Sequence, residues 1–225
     1  MTRVHDMGGR FGDGPVEPEG EDAPVFAEDW HARALAVTLA AGALGQWNID
    51  VSRHARERLS PRDYTRFSYY EKWLSGLADL LVETGVLTEE DLRGAGNDEP
   101  HTLAQRALTA EAVPGVLAKG GPVDRGEGPA PLFSAGQAVR THIPSDNALV
   151  TGGHTRLPHY AAGALGYVER LHGNHVFPDS NAHGLGEAPE PLYAVRFHAR
   201  ELWAHPEHPE DEVVLDLWQS YLAPA

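Results

Sequence analysis

The chain contains no cysteine. That excludes disulfides, thiol nucleophiles and any thiolate metal site built by this chain alone. Positive charge is also scarce: 18 Lys and Arg stand against 33 Asp and Glu, for a formal net charge of −15. A nucleic-acid binder needs a basic footprint, and none is present. Anionic membrane surfaces are disfavoured for the same reason. No apolar run approaches the ~20 residues that a transmembrane helix requires. The opening Met1-Thr2-Arg3-Val4-His5-Asp6 lacks a charged-then-apolar signal pattern, so the expected compartment is the cytoplasm. No Gly-x-Ser-x-Gly elbow occurs, which removes a serine-hydrolase reading.

What is present is a chain of 225 residues whose composition changes along its length, enough for one large or two small domains. Residues 1–25 hold Gly8-Gly9, Gly12, Gly14-Pro15, Pro18 and Pro24 with several acids, and read as a segment that cannot fold on itself, either disordered or laid out along a partner. Residues 26–92 read as a helical domain. Trp30, Leu35, Leu39 and Ala43 mark a first amphipathic helix. Ser60-Pro61 is a cap followed by proline at the first helical position. The stripe Trp73, Leu77, Leu80 and Leu81 ends at Gly85, a natural helix stop. Thr88-Glu89-Glu90-Asp91 resembles a capping box. Residues 93–131 read as a linker with two weak helices, near 102–108 and 109–118. Residues 132–225 carry short β patterns at Ala138–Ile143, Gly163–Arg170, Tyr193–Phe197 and Val213–Trp218, which suggest a small barrel or sandwich. The expected class is therefore α+β, with an extended N-terminal arm and a helical domain followed by a small β-barrel.

Several tempting sites have ordinary explanations. Gly8-Gly9-Arg10-Phe11-Gly12-Asp13-Gly14 follows no predicted strand and lacks the lysine of a phosphate loop, so its glycines serve turns. His172, His175 and His183 flank Asp179 in what reads as a loop, without the one-turn spacing of a helical zinc site. No metal ligand is assigned to this chain. His205 and His208 lie among Pro and Glu and are expected to be solvated. Arg53 shares a polar helix with His54, Arg56 and Arg58, and Arg156 lies in a Gly-His-Thr-Arg-Leu-Pro turn. On pattern alone both arginines read as solvated surface.

An ordered set of short segments changes that weighting. Val4-His5-Asp6-Met7-Gly8-Gly9, Pro24-Val25-Phe26 with Trp30, Arg53 to Pro61, and Tyr69-Tyr70-Glu71-Lys72-Trp73 occur in the first half. Gly153-His154-Thr155-Arg156-Leu157-Pro158, Phe177-Pro178-Asp179 with Ala182-His183-Gly184, Tyr193 to Phe197, and Asp216-Leu217-Trp218 follow in the second. Together they resemble the beta subunit of nitrile hydratase, with Leu59 where the family carries methionine.

The resemblance implies half of an enzyme that hydrates nitriles to amides. The cofactor would be cobalt, alternatively iron, held by oxidised cysteines of an obligate alpha subunit in an alpha2beta2 assembly. It also implies that the C-terminal barrel is SH3-like. Arg53 and Arg156 match the two arginines that bind the oxidised sulfur oxygens, a task suited to the planar, always-charged guanidinium. Tyr69 matches a tyrosine that hydrogen-bonds the metal loop. Trp73, Thr38, Ile49 and Ser52 fall at pocket-lining positions, and tryptophan at 73 is typical of cobalt-type members. His154 is expected to support the loop of Arg156. An obligate interface above ~2,000 Å² follows for such a complex. Two alternatives stand beside this reading: a non-catalytic accessory protein of metallochaperone type, and the beta-like part of a thiocyanate hydrolase. The first would resemble only the N-terminal half, and the second is split between two chains.

Overall fold

The computed structural model describes residues 4–6, 14–15, 17–96 and 99–225. The glycine-rich segment Gly8 to Asp13, part of the expected arm, lies outside the described residues. The chain divides into two compact units: Asp6 groups with residues 122–225 in one, and the other described residues up to Gly121 form the helical one.

The first unit is helical. Helices α1 (Asp29–Gly42), α2 (Ile49–Glu57), α3 (Pro61–Arg66), α4 (Tyr69–Glu83), α5 (Glu89–Leu92) and α6 (Val113–Lys119) follow in order, with a 3-10 turn at Ala104–Arg106. Local chemistry sets their starts. The Asn48 side chain accepts from the N–H groups of Asp50 and Val51, closing the start of α2. Ser60 accepts from Asp63 N–H at 3.1 Å ahead of Pro61. Glu71 reaches back to the Ser68 N–H at 2.6 Å at the head of α4, and Asp91 does the same for Thr88 at α5. Gly85, at φ +70, ends the α4 segment as its position foretold. Ala34, Ala55, Leu77 and Leu80 are buried where α1 and α2 pack on α4. The contact is close because Gly76 faces α2: a Cβ there would lie 3.0 Å from Arg56 Cγ and 3.3 Å from Arg56 N.

The second unit is built on one antiparallel sheet: β1 (Asp124–Arg125), β2 (Ala138–Thr141), β3 (Leu165–His175), β4 (Glu190–His198), β5 (Glu212–Trp218) and β6 (Leu222–Pro224). Two short helices, α7 (Pro178–Asn181) and α8 (Ala199–Leu202), and 3-10 turns at His159–Ala161 and Gln219–Tyr221 connect them. The strand order is β5-β4-β3-β2-β6, with β1 on the distal part of β3. Two register shifts, between Val168 and Arg170 and between Leu171 and Gly173, let β3 run on past its expected end. His172 and His175 therefore lie in a strand and not in the expected loop.

The α+β class holds, but the sheet is an open path rather than a closed barrel. Each strand runs antiparallel to its neighbour, so β5 and β6, the two ends of the path, point the same way. Parallel neighbours need a crossover of about a dozen residues. Only the three residues Gln219–Tyr221 join β5 to β6, so the two cannot pair side by side. The core gathers Val139, Leu157, Val168, Tyr193, Val195, Phe197, Leu217 and Leu222. Tyr193 is buried with its hydroxyl satisfied: it donates to Gln219 Oε1 at 2.8 Å and accepts from Leu132 N–H at 3.0 Å.

Candidate functional site

The helical unit holds Arg53, Tyr69, Trp73, Thr38, Ile49 and Ser52. Arg53 Nη1 meets Asp50 Oδ1 at 2.9 Å, one turn back on α2, and its side chain is 37 % exposed. The pairing is local, so the short sequence Asp50-Val51-Ser52-Arg53 is enough to aim this guanidinium. Thr38 from α1, Ser52 from α2 and Trp73 from α4 come together around a small cleft with Trp47, Arg56, Leu77 and Leu80. The cleft has room for roughly one water molecule within this unit. Ile49 does not join it; it stands exposed at the start of α2. The Thr38 hydroxyl is spent on Ala34 O at 2.8 Å, which leaves its methyl as the group available to the cleft.

Tyr69, at the first position of α4, is 63 % exposed. Its ring packs on Trp73 at 5.6 Å and on Tyr70 at 5.1 Å. Arg56 is the residue the sequence reading passed over. Its guanidinium lies over the Trp73 ring at 4.6 Å, and Nε donates to Ser52 O at 3.0 Å. Burial lowers its pKa; Tyr69 opposes that and the nearby Arg53 charge adds to it. The cleft is thus walled by a half-buried cation on an indole face. The available signal was spacing: Arg56 lies four residues from Ser52 and three from Arg53, on the same helix face.

The β unit holds His154 and Arg156. His154 is fully buried, Thr155 and Leu157 are buried, and Arg156 between them is exposed. Alternation of this kind fixes a loop by its neighbours while leaving one side chain in the open. Three polar side chains from elsewhere hold the loop. Asn147 Nδ2 donates to His154 O at 2.6 Å and to Asp179 O at 2.9 Å. His183 Nε2 accepts from the His154 N–H at 3.0 Å. The Tyr221 hydroxyl accepts from the Thr155 hydroxyl at 3.1 Å and from the Arg156 N–H at 3.0 Å. It donates in turn to the buried carboxylate of Asp179. Burial pushes the Asp179 carboxyl up to about 6, against the lowering pull of Tyr221 and Thr155. Burial also raises the Tyr221 phenol well above its ordinary value, and the Asp179 charge reinforces that. Gly153 belongs to the same fit: a Cβ would lie 2.6 Å from His183 Nε2 and 2.9 Å from Asn147 Nδ2.

The Arg156 guanidinium itself has no hydrogen-bond or ion-pair partner among the described residues. Its backbone is held, and no described residue pairs with its charge. Among the described residues, no three His, Asp or Glu side chains are placed to hold a metal ion. No helix among them is long and apolar enough to cross a membrane.

Comparison with known proteins gives the family. A family model described as nitrile hydratase beta subunit, N-terminal, matches residues 1–116, and one described as nitrile hydratase beta subunit, C-terminal, matches residues 122–224. The chain is 36 % identical over 231 residues to the low-molecular weight cobalt-containing nitrile hydratase subunit beta of Rhodococcus rhodochrous, covering 100 % of each. It is 37 % identical over 231 residues to the nitrile hydratase subunit beta of Pseudomonas putida, again covering 100 % of each. Against the cobalt-containing nitrile hydratase subunit beta of Pseudonocardia thermophila, identity is 33 % over 229 residues, with 99 % of this chain and 96 % of that one covered. Among solved structures, the recombinant apo-enzyme of thiocyanate hydrolase from Thiobacillus thioparus aligns with a TM-score of 0.40 and 25 % identity, over 45 % of this chain and 82 % of that chain.

Proposed function

We propose, from the fact that this chain belongs to the nitrile hydratase beta-subunit family, that it forms half of an enzyme adding water to nitriles to give amides. The observation that carries its part in the chemistry is Arg156: an exposed guanidinium without a partner among the described residues, on a loop whose backbone is held by Asn147, His183 and Tyr221.

The metal, cobalt as in two of the relatives named above or alternatively iron, is held by cysteines of an alpha subunit, where it supplies Lewis-acid activation. This chain, with no cysteine, fits the surroundings of such a centre and not its coordination sphere. Arg156 and Arg53 present paired N–H donors to the oxidised sulfur oxygens of the partner's cysteines. A guanidinium suits this because it stays charged and matches an oxyanion with two parallel bonds. Asp50 holds Arg53 in orientation, and the buried Asn147, Asp179 and Tyr221, with the partly buried His183, do so for Arg156. His154 supports that loop through both of its backbone groups. Tyr69 offers its exposed hydroxyl to the partner's metal loop. Trp73, Thr38 and Ser52 line the nitrile's pocket, which the partner completes, and Ile49 contributes from its exposed position.

Around this core, residues 1–25 act as an arm on the partner, 26–92 as the helical domain, 93–131 as linker and 132–225 as an incompletely closed SH3-like unit. The assembly is an alpha2beta2 heterotetramer in the cytoplasm. Exposed Val25, Ile49, Tyr69, Leu132 and Ile143, each more than half accessible, are the kind of surface an obligate interface covers.

The test is co-expression with a nitrile hydratase alpha subunit, followed by metal analysis, intact mass and nitrile turnover. The wild-type complex is expected to carry about one metal per pair and oxygen adducts on the partner's cysteines. Arg156→Lys and Arg53→Lys are each expected to lower turnover by about a hundredfold or more. Undiminished turnover in both variants would overturn the assignment.

A further inference from the structure

We propose that Asp6 is a positioning residue for Arg156, bracing the far end of its loop through the backbone of His159. The inference rests on the reading of Arg156 as a donor at the reacting centre.

The loop Gly153-His154-Thr155-Arg156 is anchored as far as the Arg156 N–H, which Tyr221 accepts at 3.0 Å. Beyond it, Leu157 N–H turns back to Thr155 Oγ1 at 3.4 Å, and Pro158 has no N–H to give. The next backbone donor is His159, the first residue of the 3-10 turn His159–Ala161. At that position no acceptor within the turn exists. Asp6 supplies one: its Oδ2 accepts the His159 N–H at 2.8 Å, across 153 residues of sequence. A carboxylate suits the start of a helical turn, and an ionised acceptor makes a stronger bond than a neutral one. Arg156 is thereby bounded by two long-range anchors, the Tyr221 hydroxyl on its own N–H and the Asp6 carboxylate three residues on.

The charge of Asp6 is felt locally as well. Burial raises the pKa of the Tyr160 phenol, and Asp6 adds to the rise. The Tyr160 ring is itself stacked on Trp203 at 5.6 Å and 24°. The Asp6–His159 bond is exposed, so water replaces the acceptor when the carboxylate is removed. Leu157 and Ala161 stay in the core on either side. Loss of Asp6 should therefore loosen the loop without unfolding the unit. A displacement of about 1 Å at a charge-stabilising group can cost up to a hundredfold in rate.

The experiment compares Asp6→Ala, Asp6→Asn, Arg156→Lys and the double variant Asp6→Ala/Arg156→Lys as assembled complexes with the alpha subunit. Assembly is checked by size-exclusion chromatography, and kcat and KM are measured separately. Asp6→Ala is expected to lower kcat about tenfold with KM within about twofold. Asp6→Asn, which keeps an oxygen for the His159 N–H, is expected to stay within about threefold of wild type. In the Arg156→Lys background the Asp6→Ala effect should largely vanish, because both changes act through one group. Additive losses, no rescue by asparagine, no kcat loss in Asp6→Ala, or a loss that tracks dissociation of the complex would each overturn the proposal. If Arg156→Lys itself keeps wild-type turnover, the reading of Arg156 fails; if only Asp6→Ala does, this inference alone fails.

Discussion

The Tyr221 hydroxyl accepts the backbone N–H of Arg156 at 3.0 Å, although the two residues are 65 positions apart. The same oxygen accepts from the Thr155 hydroxyl and donates to Asp179, so one phenol joins three groups around the arginine loop. A hydroxyl has one proton to give and two lone pairs to receive with, and all three are in use.

Tyr221→Phe removes that hub. It strands the Arg156 N–H and a buried carboxylate, each of which costs about 1–3 kcal/mol when left unsatisfied. Chemical denaturation of the assembled complex should show the loss. Turnover should fall as well, through kcat more than KM. A variant with wild-type kcat would show that the loop is held by other means.

The raised pKa of Asp179 has a signed consequence for stability. Its carboxyl titrates at about 6 in the fold. In the unfolded chain it titrates near ~3.9. Between those values the folded state holds the extra proton, so this group's contribution falls as pH rises and levels off above about 6. The full span is about 3 kcal/mol as an order of magnitude. Asp179→Asn, which cannot ionise, should gain in melting temperature relative to wild type from pH 4 to 6 and then hold the difference. A difference independent of pH would contradict the buried-carboxylate account.

Gly153→Ala places a methyl 2.6 Å from His183 Nε2, 2.9 Å from Asn147 Nδ2 and 2.9 Å from Val150 O. All three are held in place by other bonds, so the loop must give way. A loss of about 1–3 kcal/mol is expected from overpacking, with a fall in turnover beyond what the reduced folded fraction explains. Thermal melts and active-site-normalised rates separate the two. Gly163→Ala is a poor control, since it is strained for its own reason at φ +75.

Trp73→Ala removes the ring beneath the Arg56 guanidinium and one wall of the cleft. The expected cost is about 3–5 kcal/mol if the cavity does not collapse. Under the nitrile reading, kcat/KM should rise for bulky nitriles relative to small ones. Measuring both substrates in one preparation makes the ratio independent of stability. An unchanged ratio would remove Trp73 from the pocket.

What the sequence by itself determined is the local part. Caps at Asn48, Ser60, Ser68 and Thr88, the stop at Gly85 and the apolar stripe of α4 are contests between neighbours within one turn, so short segments decide them. The strands around Val139, Val168, Val195 and Leu215 were legible for the same reason. The family-like order of segments pointed to Arg53 and Arg156, and the Arg53–Asp50 pair needs only a helix to form.

Tertiary structure decided the rest. It placed Arg56 over Trp73, spent the Thr38 hydroxyl within α1 and left Ile49 outside the cleft. It carried β3 through two bulges and took His172 and His175 into the strand. It kept the sheet open, because three residues cannot make a parallel crossover. Above all it brought Asp6, Asn147, Asp179, His183 and Tyr221 to one loop. Those residues have no mutual spacing to read. A polar group sunk in a core must find its partner wherever the fold delivers one, and that choice is made by packing, not by sequence neighbourhood.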